Sequence, residues 1–344
     1  MMTLHHKCHG CGSDMVFDAG TGTLVCPSCR AQMDVEAADA RPDSGPKPGH
    51  DGTAAYHCEN CGADLMALPE TAATVCAFCG AGVVLADRVA GEHAPEYVIP
   101  FAIGREEAIK AFRKWCRNGL LTPRGFMTAD RINSITGIYV PFWLYDLNSR
   151  VKVRAVCTKV RTYRRGDYLY TETHYYDVYR ELDLHYLKVP VDASAKMDDA
   201  FMDRLEPYRY DGLKEFRPAY LAGFLAEKYQ FTDRELLDRA KDKIRGFIES
   251  AIRSSFSGYA TVTRVSEDID TRHVESRYVL LPVWLVVYDY DNFKHNFAMN
   301  GQTGKITGRP PLSRAKIAAW FGGIFAGTLL AMKTLSWALG GGFL

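Results

Sequence analysis

The sequence predicts an α+β protein: two small cysteine-built modules lead a mixed body of antiparallel sheet and helix, and an apolar helix closes the chain. Three observations carry this. Eight of the ten cysteines fall in four C-x-x-C pairs before residue 80. From residue 97 onward, alternating apolar and polar runs are interleaved with runs of helical spacing. From Ile317 on, only Lys333 is charged. The units are therefore read as a first module over 1–39, a flexible linker rich in Pro, Gly and Asp over 40–55, a second module over 56–90, a body over 97–308 and a tail helix over 313–340. At 344 residues with 47% hydrophobic and 24% charged content, the chain has enough apolar material to fold.

The modules come first because their chemistry is the most specific. Cys8 and Cys11 are followed fourteen residues later by Cys26 and Cys29; Cys58 and Cys61 are followed at the same distance by Cys76 and Cys79. Each cysteine of the second set lies 50 positions after its counterpart, and Gly12/Gly62, Asp14/Asp64, Thr21/Thr71 and Val25/Val75 match too, so the unit is duplicated. Two residues between cysteines let a tight turn aim both sulfurs at one point, and the longer excursion is a hairpin that brings the second pair opposite the first. The result is a tetrahedral four-sulfur site, one zinc ion per ribbon, with an iron site of the same ligand set left open. A unit of about thirty residues cannot fold on apolar burial alone, so the metal supplies most of its folding free energy. His5, His6, His9 and His57 are read as exposed spectators, since four thiolates already close a structural site. A closed site also leaves no open position for metal-activated water.

Charge constrains the partners. Residues 1–96 hold five Lys/Arg against thirteen Asp/Glu, a net of −8, so the rest of the chain carries +9 of the overall +1. Nucleic-acid binding is dominated by cations neutralising phosphates, so the acidic ribbons favour protein partners over DNA or RNA. The first residues show no apolar secretory segment, and paired thiols suit a reducing compartment.

In the body, Glu106–Arg117 puts Ile109, Phe112 and Cys116 on one helical face. Thr136–Asp146 (TGIYVPFWLYD) reads as a buried strand interrupted at Pro141, and alternating strands follow. The capping box Thr232/Glu235 opens a helix with Leu237, Ala240, Ile244, Phe247 and Ala251 on its apolar face. Strands return after Gly258, and Val140–Leu144 (VPFWL) is echoed by Leu281–Leu285 (LPVWL): a duplicated β-unit, or two similar edge strands. MNGQTGKITG (Met299–Gly308) lacks phosphate-loop spacing and is read as a hairpin turn at Asn300-Gly301. The stripe Arg150, Lys152, Arg154 shares one strand face, available to solvent, anionic lipid, the acidic ribbons or nucleic acid. No catalytic constellation emerges; Cys116 and Cys157 are read as packing residues, and no catalytic residue is assigned.

The tail has sixteen uninterrupted uncharged residues, Ile317–Met332, about 24 Å of helix; extended to Leu339 it reaches about 35 Å with Lys333 snorkelling. Trp320 and Trp337 would lie about 26 Å apart as interfacial anchors. Ala315, Ala319, Gly323, Gly327 and Ala331 form a small-residue stripe suited to helix–helix association. The tail is read as a transmembrane helix. Arg309, Arg314 and Lys316 before it place the ribbons and body on the cytoplasmic side.

Together the paired ribbons, YVIPF at Tyr97, TGIYVPFWLYD, LPVWL, NGQTGKITG and the apolar tail resemble, nearly end to end, a bacterial family of TFIIB-type zinc-ribbon-containing proteins. The resemblance implies two four-cysteine zinc sites, at Cys8, Cys11, Cys26, Cys29 and at Cys58, Cys61, Cys76, Cys79, plus a membrane tail; some members are linked to membrane-stress systems of the phage-shock type. It implies no reaction. The sequence therefore points to a membrane-tethered, non-enzymatic adaptor or scaffold with protein-binding acidic ribbons. The alternatives are a nucleic-acid-associated factor using the basic body, and an enzyme with an unrecognised site there.

Overall fold

The computed structural model describes residues 3–38, 54–89, 94–117, 121–123, 126, 135–290 and 293–338. Within them the first ribbon holds β1 (Thr3–Leu4), β2 (Val16–Asp18), β3 (Thr23–Val25) and β4 (Gln32–Met33). The second holds β5 (Ala54–His57), β6 (Asp64–Ala67), β7 (Thr71–Val75) and β8 (Gly82–Leu85). The expected linker lies outside the described residues except for Ala54 and Ala55, which are already strand.

The body is dominated by three long strands. β10 (Thr136–Arg165) is flanked by β11 (Tyr168–Asp192) and β14 (Thr261–Tyr290), both antiparallel to it. Short strands complete it: β9 (Tyr97–Val98), β12 (Lys214–Glu215), β13 (Leu225–Glu227), β15 (Phe293–Asn300) and β16 (Ile306–Gly308). At about 3.3 Å per residue, the ends of 30-residue β10 lie up to roughly 95 Å apart.

Two corrections to the sequence reading follow from this sheet. VPFWL and LPVWL are not edge strands; they pair with each other at the centre, Tyr139 opposite Pro282 and Pro141 opposite Leu280. Nor does Pro141 interrupt its strand. β13 runs parallel to β10 and stops at Tyr139, and β11 starts pairing at Phe142, so the missing N–H falls where β10 changes partner. Pro282 sits at the matching switch from β9 to β15. Their carbonyls are used alike, Ala193 N–H donating to Pro141 O at 3.0 Å and Gly301 N–H to Pro282 O at 2.8 Å.

These matches define a local two-fold. One repeat is β9, the helix Arg105–Arg117, β10 and β11; the other is β13, the helix Asp233–Ser255, β14 and β15. Each short strand pairs in parallel with the long strand of the other repeat. The duplicated β-unit is thus a duplicated β-helix-β-β unit, and its sheet is mixed rather than purely antiparallel.

The helix Asp233–Ser255 has its capping box, Glu235 N–H donating to Thr232 Oγ1 at 3.4 Å and Thr232 N–H to the Glu235 carboxylate at 2.7 Å. Its buried row is Ala240, Ile244, Ile248 and Ile252, packed on Tyr145, Val151, Val153, Ala155 and Cys157 of β10. Phe247, expected on that face, is 65% exposed, because the four-residue row faces the ladder and 247 lies one position off it. As expected, Met299–Gly308 forms a hairpin, β15 to β16, with Gly304 N–H closing on Asn300 O at 2.9 Å.

Candidate metal centres

Each cysteine pair sits on a tight turn that its own backbone closes. Gly12 and Gly62 donate to the carbonyls of Cys8 and Cys58 at 2.8 Å, and Arg30 and Gly80 to those of Cys26 and Cys76 at 2.9 Å. All four closing residues have positive φ, from 61° to 76°, which explains three glycines there. Four Sγ atoms converge in each ribbon. Cys8–Cys29 and Cys11–Cys26 are 3.5 and 3.4 Å apart; Cys58–Cys79 and Cys61–Cys76 are both 3.8 Å apart. A tetrahedral ion with metal–sulfur bonds of about 2.3 Å needs sulfurs about 3.8 Å apart, so the donor sets fit zinc, and iron of the same size.

Electrostatics make the same point. The Ser13 N–H and hydroxyl hold Cys11 down to about 6, and Asn60 Nδ2 with the Ala81 N–H does the same for Cys79. Across each site the Ala31 and Ala63 N–H groups favour the thiolates of Cys29 and Cys61, yet the crowded sulfurs and desolvation push both up to about 12. Four thiolates at this spacing cannot coexist without a cation. Cys8, Cys26, Cys58 and Cys76 are buried and Cys11, Cys29, Cys61 and Cys79 face solvent. All eight residues read from the sequence are therefore brought together in two closed groups. Among the described residues no histidine joins either group, although His5 is not the exposed spectator expected: its side chain is 2% exposed, 3.5 Å from Asp14.

The ribbons are docked rather than independent. β1 of the first pairs with β8 of the second, and β7 of the second pairs with β13 of the body, so one sheet runs through all three. Lys7 Nζ donates to Asn60 Oδ1 at 2.8 Å, joining the two knuckles. The first ribbon's hairpin lies on the body, where Phe17 N–H donates to Ala222 O at 2.9 Å. Gly223 there has φ 87°, which favours glycine, and a Cβ on it would stand a tight 3.1 Å from Val16; one on Gly82 would stand 2.8 Å from the Gly223 nitrogen.

Duplication makes the remaining surface informative. Val16, pressed on the body, corresponds to Met66, which is 72% exposed. Leu68, Val75 and Phe78 are exposed as well, Phe78 at 74%, where the first ribbon has Asp18, Val25 and Ser28. The sequence reading missed this apolar patch; aligning the ribbons at offset 50 would have shown it.

The basic stripe is matched within its own sheet. Arg150 Nε donates to Asp183 Oδ1 at 3.2 Å and Arg154 Nη2 to Asp177 Oδ2 at 2.5 Å, both across to β11. Lys152 lies between Glu181 and Asp268 in the register. Cys157 is buried in the packing under the long helix, and Cys116 lies in the main core with its thiol pushed up to about 11 by burial.

A second feature missed by the sequence reading is Asp192, wholly buried at the end of β11. Burial pushes its carboxyl up to about 7; the Ser194 N–H and Arg239 pull it down by less, and Asp199 and Glu227 push it further. The unfolded chain ionises near 3.8, so the folded state keeps the proton longer. Stability is highest below that value, falls as pH rises toward about 7 and is flat above. Asp192→Asn should remove this slope and raise the melting temperature at alkaline pH by roughly 5 °C, checked by calorimetry across a pH series.

No family model matches the chain, and no solved structure does. It is similar along nearly its whole length to the uncharacterized protein YdjG of Bacillus subtilis (strain 168), 56% identical over 342 residues, 99% of this chain and 100% of that one. With that identity over both full lengths, the chain belongs to the family of the Bacillus subtilis protein YdjG.

Proposed function

We propose that the protein is a membrane-tethered, zinc-binding adaptor of the TFIIB-type ribbon kind, with its second ribbon contacting other proteins at the cytoplasmic face of the membrane. The observation that carries this is the exposure of four apolar side chains on that ribbon, Met66, Leu68, Val75 and Phe78. The counterpart of Met66 in the duplicate ribbon, Val16, is covered by this chain's own body. Exposed acids on that ribbon, Glu59 and Asp64, favour a partner segment with apolar residues flanked by cations. The tether is the helix Arg314–Ala338, of which Arg314–Leu335 is long and apolar enough to cross a bilayer, with no residue of its apolar window buried. The side chain of Trp337 and the position of Leu339 lie outside the described residues. Arg309, Arg314 and Lys316 support a cytoplasmic body. A membrane-stress context is what the resemblance to the zinc-ribbon family implies. Pairing of Arg150 and Arg154 with their own sheet speaks for a protein partner over nucleic acid.

The test is quantitative capture from solubilised membranes with intact protein and with Met66→Asp/Phe78→Asp. Deleting residues 1–96 would be a poorer probe, because β1, β7 and β8 belong to the shared sheet. The double variant should keep two zinc equivalents and lose its specific partners. An unchanged set of captured proteins would remove the second ribbon as the recruiting surface.

A further inference from the structure

We infer that the outer face of the helix Arg105–Arg117 is a contact site for anionic lipid headgroups, at the bilayer the tail enters. The inference rests on the tether proposed above. On the inner face Ala108, Phe112 and Cys116 are buried in the main core, and half-buried Trp115 meets Phe297 edge-on at 5.7 Å. Outside, Lys110, Arg113 and Lys114 are exposed at helical spacing on one side. Glu106 and Glu107 lie in the first turn, one turn before Lys110, and leave Arg113 and Lys114 as the cations toward the C-terminal end.

Two hydrogen bonds tie the start of the tail close behind this helix. Ser313 N–H donates to Leu121 O at 2.8 Å, and Lys316 Nζ donates to Thr122 O at 2.7 Å. Leu121 follows Arg117 by four residues, so Lys114 stands within about 25 Å of chain from the point where the tail is held. Arg314 and Lys316 add two further cations at the same place.

Two other charged surfaces of the body differ from this one. The corresponding helix of the second repeat, Asp233–Ser255, pairs its outer charges: Lys241 with Asp238 at 3.8 Å, Arg245 with Asp242 at 2.9 Å, and Glu249 with Arg264 at 2.7 Å. Arg150 and Arg154 are paired too. The outer charges of one repeat helix are thus paired, whereas Lys110, Arg113 and Lys114 of its twin beside the anchor form no ion pair among the described residues. A cluster of cations immediately cytoplasmic of a span is attracted to the negative surface of an anionic leaflet and is screened within about a Debye length.

The experiment reconstitutes the full chain in nanodiscs of phosphatidylcholine alone or of a phosphatidylglycerol-rich mixture, each doped with a lipid photo-crosslinkable at its headgroup or in its acyl chain. Labelled peptides are identified by mass spectrometry. Acyl-chain label on the tail between Ile317 and Leu335 in both lipids tests the tether; without it, the tether itself fails. Given that label, the headgroup probe should mark the peptide spanning Lys110 and Lys114 severalfold more in phosphatidylglycerol. The difference should vanish in high salt and in the variant Lys110→Glu/Arg113→Glu/Lys114→Glu, with tail labelling and zinc content kept. Should that variant misfold, Lys110→Gln/Arg113→Gln/Lys114→Gln serves, with loss of most of the difference expected. Equal labelling in both lipids, or a difference that survives the substitutions, would overturn the inference. So would protection of the same peptide by an added polyanion in place of lipid.

Discussion

Cys76→Ser should release one zinc equivalent and lower the melting temperature of the whole chain by about 10 °C or more, as should a chelator that reaches the second ribbon. Cys76 directly follows β7, and its buried sulfur holds the hairpin shut beneath β7 and β8. Those strands pair with β13 of the body on one side and β1 of the first ribbon on the other. Without the metal the hairpin is too small to stay folded, and the sheet loses its link between the ribbons and the body. Cys26→Ser should cost less. β3 lies in a separate three-stranded sheet, joined to the body by side-chain packing of Phe17, Leu24 and Val35 in the main core and not by the shared strand ladder. Metal analysis combined with calorimetry of both variants checks the order. A body transition unmoved by Cys76→Ser would mean that the ribbons fold as independent beads.

The metal sites were legible in the sequence because their geometry is local: a two-residue turn and a hairpin fix four sulfurs regardless of the rest of the chain. The capping box at Thr232 and the turn at Asn300 were legible for the same reason. Docking was not, because it rests on strands as short as β1 and β13, whose two or three residues carry no periodicity of their own. The partners of Arg150 were hidden too. Asp183 is 33 residues away, and only the register of β10 on β11 brings it opposite. The body duplication surfaced only at VPFWL and LPVWL, since the paired helices differ in length, 13 against 23 residues, and in the surfaces they meet.

Phe101→Ala should destabilise the protein by about 3–5 kcal/mol, since this buried ring joins the signature segments of the chain. It comes from YVIPF; it stacks on Phe224 at 4.3 Å and meets Tyr139 of TGIYVPFWLYD at 5.1 Å and Trp284 of LPVWL at 4.9 Å. Its N–H donates to the Tyr139 hydroxyl at 3.3 Å, and Trp284 Nε1 donates to Ile103 O at 2.9 Å. Gly301 of NGQTGKITG closes the node: a Cβ there would lie 2.6 Å from the Phe101 ring and 2.9 Å from Pro282. These segments therefore pack together as one node. Packing of this kind makes a sharper prediction than either substitution alone. Gly301→Ala in the native background drives a methyl into an aromatic ring and should cost roughly 1–3 kcal/mol. In the Phe101→Ala background the ring is gone and the methyl enters the space it leaves, so the double variant should be more stable than the sum of the two losses predicts. Denaturant unfolding of the four proteins measures that coupling. Strict additivity would show that Gly301 is there for its backbone and not for the ring beside it.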